Sequence, residues 1–87
     1  MLTFEHARRV VQVGDKHRPV DADGRPYPVA DVGWENDQVF VVLFDYGDDI
    51  PPPDEPARLV DKRSGELIFR SAREAPSGLQ PIGDPPG

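Results

Sequence analysis

Six consecutive apolar residues, Val39-Phe40-Val41-Val42-Leu43-Phe44, limit what this 87-residue chain can become. β-branched and aromatic side chains favour extended backbone. Alternation puts Val39, Val41 and Leu43 on one face and Phe40, Val42 and Phe44 on the other. Both faces are apolar, so the strand belongs inside a sheet with cover on each side. A chain this short buries only about 60–65% of the surface its unfolded form exposes. One helix against one small sheet would exhaust its core, and a deep substrate cleft would have to be cut from material needed for stability.

The elements around this strand follow from local signals. Thr3 reads as an N-cap and Glu5 as a first-turn acid that complements the helix dipole. Phe4, Ala7, Val10 and Val11 make one apolar stripe, so a helix is expected over 4–13, with Gly14 as its stop. Pro19, Asp23-Gly24, Pro26 and Pro28 break the next stretch into a loop with one tight turn, leaving room for a short strand near Val20. Val29–Glu35 reads as a strand, Asn36-Asp37 as a turn and Gln38–Tyr46 as the main strand. Pro51-Pro52-Pro53 reads as a stiff extended loop. Lys62-Arg63-Ser64-Gly65 reads as a hairpin turn between strands 58–61 and 66–70, with Gly65 at positive φ. The expected fold is α+β: one N-terminal helix on an antiparallel sheet of three to four strands. A single domain is expected over 1–75, with a disordered Pro/Gly-rich tail over 76–87.

Charge is concentrated in one place. The chain carries a net −6. Asp45, Asp48, Asp49, Asp54 and Glu55 fall within residues 45–56, which contain no basic residue. Such a field repels nucleic-acid phosphates and anionic membranes and attracts basic protein surfaces. Arg8, Arg9, Lys16, Arg18 and Arg25 make the N-terminal third mildly basic, but no aromatic stacking platform accompanies them. They are expected on the solvated face of the helix and its loop.

Signals for chemistry are weak. There is no cysteine, so disulfides and thiolate metal sites are excluded. His6 and His17 stand apart and are expected to be solvated. Asp45-Tyr46-Gly47-Asp48-Asp49 lacks the register and closing Glu of a calcium loop. Ser64, Ser71 and Ser77 have no nucleophile elbow, and crowded exposed carboxylates need burial to become acid–base catalysts. Neither an enzyme nor a cofactor is expected. The opening residues lack the pattern of a signal peptide, and no apolar run approaches the roughly 20 residues of a membrane helix. A cytoplasmic protein is the expectation.

Gly33-Trp34-Glu35-Asn36-Asp37 followed by Phe40-Val41-Val42 resembles the first hairpin of the YrhB-like, immunity protein 35 family. These are small proteins encoded beside bacterial polymorphic toxins. Ala57 to Leu67, with its Val60-Asp61-Lys62-Arg63-Ser64-Gly65-Glu66 turn, resembles that family's second hairpin. Ala72-Arg73-Glu74-Ala75-Pro76 resembles the segment that follows, and Leu2-Thr3-Phe4-Glu5-His6-Ala7 its helix start. The chain departs from the pattern in the Pro-rich insert Asp48–Pro56, the long loop before Val29 and the lack of a second helix. The resemblance implies one helix on an antiparallel sheet and the neutralisation of a cognate toxin. A chaperone role has also been discussed for one member.

The expected function is therefore protein binding through an acidic surface, the partner being a basic toxin domain. The expected contact residues are Trp34, Asp45, Tyr46, Asp48, Asp49, Asp54 and Glu55, because aromatics anchor interfaces and acids steer encounter. The alternative is a non-catalytic homodimeric or chaperone-like module, motivated by the two apolar faces of strand 39–44.

Overall fold

The computed structural model describes residues 2–74 and 76–85. Met1, Ala75, Pro86 and Gly87, which fall in the expected domain 1–75 and tail 76–87, lie outside the described residues. One helix, α1 (Phe4–Gly14), packs on a sheet of strands β1 (Val29–Glu35), β2 (Val39–Phe44), β3 (Ala57–Asp61), β4 (Leu67–Arg70) and β5 (Gln80–Ile82). The order is β4-β3-β2-β1-β5, and every neighbouring pair is antiparallel. The expected count of three to four strands is thereby corrected to five among the described residues. The fifth, β5, comes from the Pro/Gly-rich segment expected as a tail.

The helix begins as its sequence dictates. Thr3 Oγ1 accepts from the His6 amide at 3.2 Å, and Glu5 pairs with Arg8 at 3.1 Å. It ends differently. Gly14 is the last helical residue without a positive φ, and Asp15 forms the C-cap, its amide donating to Val11 O at 3.0 Å. Ala7 and Val11 are wholly buried against Val29, Phe40, Val42, Phe44 and Val60, with Phe4 and Val10 packed beside them. Each valine or phenylalanine side chain of this kind contributes about 1.5–3 kcal/mol when fully buried.

Gly33 positions this contact. A Cβ there would lie 2.4 Å from the Val41 carbonyl oxygen and 2.9 Å from the Phe4 ring. Only a glycine lets Phe4 rest directly on β1. The register of β1 against β2 shifts between Val29 and Gly33. Arg8 reaches from the helix to the carbonyls of this stretch, donating from Nε to Ala30 O at 2.7 Å and from Nη2 to Val29 O at 3.3 Å. Arg8 is thus half-buried and structural rather than solvated.

The other face of the sheet carries no α-helix among the described residues, yet Val41 and Leu59 are only 7% and 3% exposed there. Strands β4 and β5 lie at opposite edges, and the described residues 71–74 and 76–79 run across the sheet between them. Glu74 and Pro76 share a groove with Val39, Leu59 and Ile68, which places the crossing on the helix-free face. Later residues of the chain thus lie over part of this face, beside Val39, Leu59 and Ile68.

Candidate functional site

The acidic segment links β2 to β3, and side chains on other elements hold it in place. The Asp45 amide donates to Pro28 O at 2.8 Å as β2 ends, and Asp45 Oδ1 accepts from the Gly47 amide at 2.9 Å. Gly47 adopts φ +58°, a region glycine enters at little cost. The Asp49 amide then closes a turn on Tyr46 O at 2.9 Å. Tyr27, from the loop before β1, sets its ring 4.7 Å from Tyr46 and donates its hydroxyl to Asp49 Oδ2 at 2.9 Å. That hydrogen bond, with some burial and the charge of Asp49, raises the Tyr27 pKa above its ordinary 10.0. Tyr46 is also raised, by burial first and the charge of Glu55 second.

The far end of the loop is held by Arg58 on β3. Its guanidinium pairs with Glu55, donates from Nη1 to Pro56 O at 2.8 Å and from Nη2 to His17 O at 3.0 Å, and pairs with Asp15 through Nε. It lies 5.0 Å from the Phe44 ring and 5.3 Å from Phe69, which shield it from water. Arg18 approaches the Phe44 ring at 5.8 Å and donates to Gln12 O and Tyr27 O. Like Arg8, Arg18 is structural, against the solvated position expected for it. Below the prolines, Leu43, Phe44, Tyr46, Pro51 and Pro52 line an open apolar recess of about 320 Å³.

The seven expected contact residues divide into three groups. Asp45, Asp48 and Asp54 are exposed, and Asp48 and Asp54 have no hydrogen bond or ion pair among the described residues. Tyr46, Asp49 and Glu55 are engaged within the chain, holding the loop in shape. Trp34 stands elsewhere. It pairs with Val41 on β1 and with Pro81 on β5, on the helix-free face. Val41 lies four residues before Asp45, roughly 13 Å along an extended strand. Trp34 is thus on the sheet rather than in the loop, although Val41 beside it also lines the recess below the prolines.

One residue escaped the sequence reading. Ile50 is 90% exposed at the tip of the loop, between Asp49 and the prolines. Its signal was legible: a large aliphatic within an acidic, proline-stiffened stretch has no neighbouring apolar residue with which to form a strand.

Among the described residues no group of three or more His, Asp or Glu is placed to hold a metal ion, and no helix is long and apolar enough to cross a membrane. The chain matches no protein-family profile, no curated protein and no solved structure.

Proposed function

We propose that the protein is a non-catalytic binding domain that docks a basic protein through the loop 45–55, in the manner of an immunity protein neutralising a toxin. The observation that carries this reading is Ile50. An aliphatic side chain held 90% exposed, beside Asp48 and Asp54, on a braced loop is an anchor ringed by charge. The acids steer a basic partner and Ile50 fills an apolar pocket on it. The braces at Tyr27 and Arg58 leave little loop entropy to be lost on binding. The likeness of the two hairpins to the immunity protein 35 family points in the same direction.

The test uses tagged protein in extracts of its own host at low and high salt. Wild type is expected to retain a basic protein at low salt and to lose it as salt screens the acids. Replacing Asp48 and Asp54 by Lys should slow association, and Ile50→Asp should speed dissociation, with circular dichroism unchanged in both. Retention by the triple variant at the wild-type level would overturn the reading.

A further inference from the structure

The two edges of the sheet differ. In β1–β2 the Asn36 amide bonds to Val39 O, which fixes the alternation: Gly33 and Glu35 turn their backbone groups towards β5. Their partners there are Ile82 and Gln80, so the one residue of β5 that faces outward is Pro81. Proline has no N–H to offer, and that edge is closed to further strands.

The β4 edge is open. The Asp61 amide donates to Glu66 O at 3.0 Å, so Glu66, Ile68 and Arg70 turn their backbone groups towards β3. Leu67 and Phe69 turn theirs outward. Among the described residues, no turn, loop or side-chain hydrogen bond reaches the N–H or C=O of either. Glu66 and Arg70 are exposed and belong to no ion pair among the described residues.

We propose that this edge pairs antiparallel with the same edge of a second copy, about a two-fold axis at Ile68. The axis sets Leu67 opposite Phe69 twice, as hydrogen-bonded pairs, satisfying all four outward N–H groups of the two copies. Ile68 meets Ile68. Glu66 meets Arg70 twice, in the non-hydrogen-bonded positions where cross-strand side chains lie closest. Moving the axis one residue to Phe69 keeps the backbone bonds but sets Ile68 against Arg70 and leaves Glu66 without an opposite charge. The sequence Glu66-Leu67-Ile68-Phe69-Arg70 is thus self-complementary in charge in one register, and that property selects a second copy as the partner. The resulting sheet is continuous across both copies, with each β5 at an outer edge closed by Pro81. The pairing does not rest on the acidic loop and stands whether or not that loop binds a basic protein.

The test is sedimentation of the full chain from about 1 µM to about 1 mM, a range that captures a weak edge-to-edge dimer. Wild type is expected to approach twice its 9.7 kDa mass as concentration rises. Glu66→Arg sets Arg against Arg twice and should raise the dissociation constant at least roughly tenfold. Arg70→Glu should do the same, and the double exchange E66R/R70E should restore dimerisation. Both positions of the test are exposed, and circular dichroism checks that each variant keeps its fold. A wild-type chain that stays monomeric throughout, or an E66R variant that dimerises like wild type, would overturn the proposal.

Discussion

Arg58 and Asp15 meet at 2.9 Å between Nε and Oδ2, with side chains 2% and 0% exposed, although 43 residues separate them in the chain. The pair ties β3 to the end of α1, while Glu55, Pro56 O and His17 O take the remaining guanidinium donors. A buried pair of this kind costs desolvation to form, but losing one partner leaves the other charged and unmatched. Asp15→Ala or Arg58→Ala should each destabilise by about 3–5 kcal/mol in urea denaturation. The double variant should cost less than the sum of the two. Arg58→Lys should also be destabilising, because a single ammonium cannot serve four acceptors in a planar fork.

Gly33 and Gly14 should respond in opposite ways to alanine. At Gly33 the new methyl meets the Val41 carbonyl and the Phe4 ring, so Gly33→Ala should cost at least about 1–3 kcal/mol. At Gly14 nothing lies within 4 Å and φ is not positive, so Gly14→Ala should be neutral or stabilise by up to about 1 kcal/mol. Thermal melts of the two variants separate these expectations.

The turn between β3 and β4 carries a pH signature. Asp61 Oδ1 accepts from the amides of Ser64 at 2.9 Å and Arg63 at 2.8 Å, and these bonds lower its pKa below the ordinary 3.8. A lowered pKa in the folded chain means the carboxylate stabilises the fold above the unfolded value. That contribution disappears as pH falls through the folded one. Denaturation midpoints measured from pH 6 downward should therefore decline more steeply for wild type than for Asp61→Asn, which keeps an acceptor but does not titrate.

Tyr27 should carry the opposite dependence. Its neutral hydroxyl donates to Asp49, and its raised pKa means the contact persists below pH 10.0 and is lost as pH rises through the folded value. Ultraviolet titration should show tyrosine ionisation above that pH. Tyr27→Phe should lower its contribution and speed hydrogen exchange of amides 47–49 with little change in global stability.

Local chemistry made most of the fold readable. Thr3, the apolar stripe, the β-branched run at 39–44 and Gly65, at φ +74°, each carry their own signal within a few residues. Long-range pairings carried none. Asp15 and Arg58 look like solvated charges until the fold brings them together. Arg8 and Arg18 likewise bond backbone carbonyls that no sequence pattern advertises. Strand β5 was hidden because Pro81 sits at its centre, where proline ordinarily argues against a strand; its one missing donor faces outward, where no partner is bonded. The candidate site was legible in its charge; Ile50, a lone aliphatic in that acidic, proline-stiffened stretch, carried a signal that only its 90% exposure brought out.

The crossing of residues 71–74 and 76–79 over the face opposite α1 ties the two edges of the sheet together. Strands β1 to β4 form by neighbouring hairpins, whereas Glu35 waits for Gln80, forty-five residues later. Of the sheet's strand pairings, β1–β5 closes the longest span of chain, so it costs the most loop-closure entropy.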